Sequence, residues 1–447
     1  MKRVVIVGGG FAGVKCAREL SRSRDVHVTL IDKNNYQQFQ PLLYQVATSS
    51  LAPSNIAFNL RNMFRHRSNV DVKMAEIVSV DLDSRVAVTA KGHRFQGDFI
   101  VLATGLQANF FGTPGAEIHS YPLYSLRDAE ILRSRIIAVL EAADLDVSLV
   151  AKGALNFVIV GAGPTGTEMA GAIGDAARAI QHGGRFKNLA GSRAQIFLVD
   201  RGSSVLNAFS EKSRSYGADA LAKRGVQLLL QRTVEEVGPS HVRLSDGTII
   251  KTRTVIWAGG LKAAPLSWDS DIHLGKSGRL DVGPDLTVAG FDRVYALGDF
   301  ANIVAKDGKS LPCLASVAEQ SGKCCAQNIL LDIADQPRRD FKYFDKGIMA
   351  MIGRNSAVAE IGVGRRRIRG LVAFIAWLAV HVALLSSTRA KIEAIIEWAC
   401  EYFGKVRSNP ILDRTEQAAI NWKLVQSDPH LDPDVESGRR DLSPSEL

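Results

Sequence analysis

Cysteine is scarce: the 447 residues hold five, Cys16, Cys313, Cys324, Cys325 and Cys400, with no Cys-x-x-Cys pair among them. An odd count without such spacing excludes a disulfide framework and a zinc site and fits a reducing compartment, so no metal is expected. No hydrophobic run is long enough to span a bilayer. The first apolar run, Val4 to Val7, gives way to glycines, which is too short for the core of a secretory signal, so the chain is expected to enter folded structure at once. Hydrophobic residues make up 46% and charged residues 23%, values that rule out both disorder and a polytopic membrane protein. Acidic charge is in deficit, 46 Asp and Glu against 55 Lys and Arg for a formal charge of +9. Arg365, Arg366 and Arg367 add a basic run, but no aromatic-interleaved basic module accompanies it, so no nucleic-acid partner is expected. At roughly 150 residues per domain the length allows about three.

What the chain does have is glycine, 39 residues of it, arranged twice in the same way. Val4-Val5-Ile6-Val7 has the continuous β-branched pattern of a strand buried on both faces of a parallel sheet. Gly8, Gly10 and Gly13 follow, with Phe11 and Ala12 between the last two, and an Ala-containing helical stretch begins there. In G-x-G-x-x-G the first glycine permits the tight turn, the second admits a pyrophosphate, and the third lets helix pack on strand. Asp32, with Lys33 beside it, ends the next apolar run 19 residues past Gly13, where a carboxylate can accept hydrogen bonds from a ribose diol. The second copy begins at Phe157-Val158-Ile159-Val160. It has Gly161, Gly163, Pro164, Thr165 and Gly166, and its acid is Asp200. Two complete copies predict two bound dinucleotides. Asp200 would repel a 2′-phosphate and favours NADH, while Arg201 leaves NADPH open.

A third segment, Thr287 to Asp299, reads TVAGFDRVYALGD. Gly298 allows a close approach so that Asp299 can bond a polyol. This segment resembles the second FAD motif of two-dinucleotide flavoproteins, as do Ala103-Thr104-Gly105 after the strand Phe99 to Leu102, and Ala258-Gly259-Gly260 after Val255-Ile256. The resemblance implies that the first glycine fold holds FAD and the second, inserted between the halves of the FAD domain, holds the nicotinamide. Disulfide reductases of this superfamily carry a redox cysteine pair soon after the first acid; here that region reads YQQFQPLLYQVA, which excludes dithiol chemistry. Cys313 alone does not make a sulfide:quinone mechanism.

The segment QPLLYQVAT, the GxGxxGxE pattern from Gly161 to Glu168, GIMAMIGRNSAVAE from Gly347 to Glu360 and the C-terminal apolar region resemble type II NADH:quinone oxidoreductases over about residues 1 to 405. The resemblance implies that Glu168 contacts the nicotinamide and flavin. The family's quinone-site pattern A-Q-x-A-x-Q appears as Ala315-Ser316-Val317-Ala318-Glu319-Gln320. Ser316 replaces the first glutamine, which leaves Gln320 facing the quinone and Ala318 near the flavin. Cys324 and Cys325 read as core packing.

From Leu371 to Leu385 the chain runs 15 residues without a formal charge, about 22 Å as a helix at about 1.5 Å per residue and short of a hydrocarbon core of roughly 30 Å. A second helical stretch places Ile392, Ile395, Ile396, Ala399 and Phe403 on one face. Trp377, Trp398, Tyr402 and Arg389 are residue types that settle at headgroup level. With the basic residues just before the block, these helices predict a peripheral contact with an anionic membrane surface, or alternatively a helical hairpin that forms a subdomain core or a homodimer contact. The expected fold is α/β, two Rossmann-like domains for FAD and NAD plus an α-helical membrane-associating region. The expected parts are the FAD domain at 1–115 and 271–335, the NAD(P)H domain at 116–270 with its core at 154–260, the membrane region at 336–407 and a polar tail at 408–447. The expected activity is hydride transfer from NADH to FAD and then two electrons to a membrane quinone without proton pumping, at the cytoplasmic side of the inner membrane. Reduction of a ferredoxin, a naphthoquinone intermediate or another oxidant, a sulfide:quinone-type relative on the same fold, and a flavin-containing redox sensor are the alternatives.

Overall fold

The computed structural model describes residues 1–181, 185–268, 272–362 and 364–403, with Leu412, Ile420 and Trp422. Apart from those three positions the polar tail at 408–447 lies outside the described residues.

Two five-stranded parallel sheets form the body of the molecule. The first runs in the order Val294–Ala296, Phe99–Leu102, Lys2–Val7, Val26–Asp32, Val70–Met74, and the second in the order Ser120–Pro122, Thr254–Trp257, Asn156–Val160, Gln195–Asp200, Val226–Leu230. Each places its glycine-turn strand in the middle, because Val4, Ile6, Val158 and Ile159 are wholly buried and only a central strand is covered on both faces. Side chains of this kind each stabilise by roughly 1.5–3 kcal/mol on burial, opposed by the entropy of ordering the chain. The chain leaves the first sheet through Leu106–Ala108 and returns through Leu261–Ala263, and these two crossings pair antiparallel.

Helix Phe11–Leu20 lies against helix Ala315–Ile333. The approach is close because Gly322 has no side chain: a Cβ there would lie 2.3 Å from the carbonyl oxygen of Ala12. Cys16 and Cys325 are buried in this contact with their sulfurs 4.0 Å apart, so Cys325 packs a core, while Cys324 is half-buried.

The C-terminal part is a three-stranded antiparallel sheet, Gly347–Gly353, Ser356–Ile361 and Arg366–Gly370, followed by helices Leu371–Leu384 and Thr388–Phe403. The sheet sits on helix Pro164–Gln181, where a Cβ on Gly171 would come within 2.0 Å of the Ile352 carbonyl oxygen. Among the described residues no helix is long and apolar enough to cross a membrane. The expectation that Trp377 lies at headgroup level is corrected: it is fully buried and stacked on His381 with centroids 3.7 Å apart. Its face of the helix packs inward, and Leu371, Val372 and Ile375 face out.

Candidate active site

The first cradle forms where three strands end side by side: Lys2–Val7 runs into Gly8, Phe99–Leu102 into Ala103-Thr104-Gly105, and Val294–Ala296 into Gly298-Asp299. Ligands of open parallel sheets bind at this carboxyl edge. Gly8 has φ +112°, and a Cβ there would lie 2.1 Å from the Ala103 carbonyl oxygen; one on Gly13 would lie 1.9 Å from that of Gly8. Gly10 differs, since a Cβ on it meets nothing within 4 Å. That open space precedes the positive end of helix Phe11–Leu20, the position a pyrophosphate takes. Phe11 packs edge-on against Phe39 with centroids 5.7 Å apart, and Ala12 is buried. Asp32 accepts the Gly9 N–H at 2.6 Å and the Asn34 N–H at 2.7 Å, yet burial pushes its carboxyl above the usual range. Lys33 beside it is exposed.

At the far side of this cradle Asp299 is half-covered as a residue, but its Oδ1 is buried and finds no partner among the described residues; Thr104 Oγ1 is in the same position. Buried polar atoms without partners are rare in folded proteins, and a chain of ligand hydroxyls would satisfy both. Burial pushes the Asp299 carboxyl up to about 6, with Arg279 pulling the other way. Gly298 donates its N–H to Ser321 at 3.1 Å, and a Cβ on it would crowd Ala12 and Ala318. The residues present therefore fit a dinucleotide whose polyol reaches Asp299. Two neighbours carry no signal in the sequence because they lie outside any motif. Arg279 donates to the Asp299 and Ala301 carbonyl oxygens at 3.0 and 2.5 Å. The buried Tyr124 hydroxyl, raised by desolvation and by Asp299, accepts the Leu106 N–H at 3.2 Å.

The second cradle repeats the first. A Cβ on Gly161 would lie 2.7 Å from the Gly259 Cα, one on Gly166 would lie 1.8 Å from the Gly161 carbonyl oxygen, and one on Gly163 would meet nothing. Asp200 accepts the Ala162 N–H at 2.7 Å and the Gly202 N–H at 2.6 Å. Pro164 and Thr165 are exposed in the first turn of helix Pro164–Gln181, where a proline costs no hydrogen bond.

Glu168, in the first turns of that helix, is buried, and desolvation pushes its carboxyl up to about 8. It is neutral at pH 7. Its Oε1 accepts the Met351 N–H at 3.1 Å. From Met351 a chain of bonds leads outward: Tyr44 donates to the Met351 sulfur at 3.2 Å, Gln45 Nε2 to the Tyr44 hydroxyl at 2.9 Å, and Trp398 Nε1 to Gln45 Oε1 at 2.8 Å. The QPLLYQVAT segment thus joins Glu168 to the last helix. Beside it His381 is held down to about 4 by burial, with Nδ1 2.7 Å from the Trp377 carbonyl oxygen.

Gln320 stands apart from this group. Its amide donates to the Phe344 carbonyl oxygen at 3.0 Å and accepts the Phe344 N–H at 2.9 Å, so both ends of the amide are used by one backbone residue. Ser316 pairs with the Tyr343 hydroxyl at 3.0 Å. No cluster of metal-binding residues occurs among the described residues.

Comparison with known proteins places this geometry. The pyridine nucleotide-disulphide oxidoreductase family model matches residues 2–322, and the model of the NDH2 C-terminal domain matches residues 346–405. The chain is 34% identical over 440 residues to a type II NADH:quinone oxidoreductase of Mycobacterium tuberculosis, covering 95% of this chain and 93% of that one. It is 28% identical to a type II NADH:quinone oxidoreductase of Haemophilus influenzae, covering 81% and 87%. In fold it is similar to NDH2 from Plasmodium falciparum, solved in complex with NADH, with a TM-score of 0.82 at 18% identity, covering 91% of this chain and 99% of that one.

Proposed function

The chain belongs to the type II NADH:quinone oxidoreductase family, and on that premise we propose that it oxidises NADH with the help of bound FAD and reduces a membrane quinone without moving protons across the membrane. When bound, FAD supplies the two-electron relay between a nicotinamide and a quinone. Gly8, Gly10, Phe11, Ala12 and Gly13 with Asp32 and Lys33 hold its adenosine and pyrophosphate, while Ala103, Thr104, Gly105, Gly298, Asp299 and Ala318 line its other half. Gly161, Gly163, Pro164, Thr165, Gly166, Asp200 and Gly259 hold NADH.

Glu168 acts here as a neutral hydrogen-bonding acid. Its proton lets it donate to a carboxamide or carbonyl oxygen, and the Met351 N–H fixes the other oxygen. Gln320, tied to Phe344, sets the position of the adjoining wall of the quinone site. The two C-terminal helices rest on the cytoplasmic face of an anionic membrane, within reach of a lipid-soluble acceptor. The observation that carries this reading is the repetition of an open glycine and a turn-bonded acid in both sheets, together with the Oδ1 of Asp299 at the first, which has no partner among the described residues. Two dinucleotides, one of them with a polyol, satisfy all of these at once.

Stopped-flow mixing of the yellow enzyme with NADH and NADPH, then with a ubiquinone and a menaquinone analogue, tests it. Bleaching by NADH and reoxidation by a quinone are expected; a colourless protein that cannot be reconstituted with FAD overturns the reading. Glu168→Gln should keep its flavin and bleach more slowly.

A further inference from the structure

A cavity of about 1100 Å³ lies between helices Leu126–Leu145, Pro164–Gln181, Leu371–Leu384 and Thr388–Phe403. That is at the top of the range of small-molecule sites, roughly 300–1,000 Å³. Neither glycine cradle contributes to it: of the residues assigned above to the two dinucleotides and the quinone, only Glu168 reaches its wall. The lining is mainly apolar, with Ile136, Leu140, Ile173, Phe374 and Leu378 among its side chains. Three further wall residues, Leu371, Ile375 and Ile395, are also 49%, 57% and 51% exposed. The cavity is therefore continuous with the outward apolar face of the helix pair.

One wall residue does not suit an empty or purely hydrocarbon space. Arg133, half-buried on helix Leu126–Leu145, makes no hydrogen bond or ion pair among the described residues, and its Nε is fully covered. The nearby charges are engaged elsewhere. Asp175 pairs with Arg224 at 3.1 Å and accepts the Arg354 N–H at 2.8 Å, and the Arg354 guanidinium lies over Tyr402 and donates to its carbonyl oxygen. Glu168 is neutral at pH 7. The covered Nε–H without a partner forfeits its solvation, and the rest of the planar fork stays free to match a phosphate.

We infer that this cavity takes an acyl chain of an anionic membrane phospholipid, with the lipid phosphate seated on Arg133. The chain enters across Leu371, Ile375 and Ile395 and fills the apolar space, and the head supplies the counter-charge for Arg133. A neutral quinone would fill the space and leave Arg133 without its counter-charge. The inference rests on the membrane-facing reading of the helix pair.

The test uses delipidated, flavin-loaded full-length enzyme in neutral detergent, titrated with phosphatidylglycerol or phosphatidylcholine whose acyl chains carry bromine. Bromine quenches indole fluorescence on contact, and Trp398 lines the cavity. Phosphatidylglycerol should quench at about tenfold lower mole fraction than phosphatidylcholine, the worth of one charge-assisted contact, and Trp398→Phe should remove most of the quenching. Arg133→Gln should abolish the preference while flavin content and NADH turnover hold. Arg389→Gln, which alters a cation 88% exposed on the neighbouring helix, should leave the preference intact. Equal quenching by the two lipids, an unchanged preference in Arg133→Gln, equal loss in Arg389→Gln, or displacement of phosphatidylglycerol by an equimolar neutral quinone would each overturn the proposal. Co-sedimentation of the wild type with phosphatidylglycerol vesicles separates the two readings. If it persists without selective quenching, only the cavity assignment falls; if it is absent, the membrane-facing reading falls too.

Discussion

The Met351 N–H donates to Oε1 of Glu168 across 3.1 Å, joining the first turns of the second glycine-loop helix to a C-terminal strand 183 residues later. Burial outweighs the Met351 N–H and the nearby Trp377 indole, both of which favour the carboxylate, and the carboxyl stays protonated up to about pH 8.

That imbalance has a measurable sign. An acid that titrates about 8 in the folded chain and near 4.5 when exposed binds its proton more tightly when folded. Its contribution to stability is complete below about pH 4.5 and is lost as the pH climbs through 8. Glu168→Gln cannot ionise. The melting temperature of the wild type should therefore fall relative to Glu168→Gln between about pH 5 and pH 9, read by thermal scans of both flavin-loaded proteins. Parallel curves would show that Glu168 is ionised in the folded chain.

The glycines divide into those that shape the turn and those that leave room for a ligand. Gly13→Ala sets a Cβ 1.9 Å from a backbone oxygen and should yield little folded protein, whereas Gly10→Ala meets nothing in the chain itself. Gly10→Ala should fold with a far-ultraviolet spectrum like the wild type yet retain less than about a tenth of the FAD, as the methyl group intrudes where the backbone must approach a pyrophosphate. Absorbance at 450 nm per protein decides it. Full flavin content in Gly10→Ala would mean that the pyrophosphate lies elsewhere.

Asp200 is the corresponding choice for the nicotinamide dinucleotide. Both its oxygens already accept turn N–H groups, which aims the remaining lone pairs outward. Asp200→Asn keeps the shape, removes the charge and leaves Arg201 beside it. The KM for NADH should rise about tenfold, the worth of one charge-assisted bond, while that for NADPH falls and flavin content holds. Unchanged KM values for both would remove Asp200 from the ribose contact.

Both sheets were legible in the sequence because a central parallel strand must be apolar on both faces and a phosphate turn must be glycine, so Val4 to Gly13 and Phe157 to Gly166 state their structure locally. The surroundings of Glu168 were not. Met351, Tyr44 and Trp398 come from three distant segments, and the bonds that join them depend on how the C-terminal sheet docks on helix Pro164–Gln181, which no local pattern encodes. Trp377 shows the same limit: an indole in an apolar helix reads alike whether it faces lipid or a core, and packing against His381 and Tyr44 decides for the core. Arg133 gave no signal either, since an arginine in an amphipathic helix ordinarily reaches water.

The outward face of the helix pair is apolar. Val372 and Ile396 are 65% and 54% exposed and lie outside the cavity wall, on helices too short to span a bilayer. Exposed apolar side chains clustered on neighbouring helices call for a covering surface, and inserting each would contribute roughly 1.5–3 kcal/mol. Val372→Asp with Ile396→Asp should therefore lower co-sedimentation with phosphatidylglycerol-containing vesicles by more than about tenfold. Oxidation of NADH by a water-soluble acceptor should stay within about twofold of wild type, because neither side chain touches the dinucleotide cradles. If the double variant instead keeps its membrane binding and changes from dimer to monomer in light scattering, the face belongs to a second copy of the chain rather than to lipid.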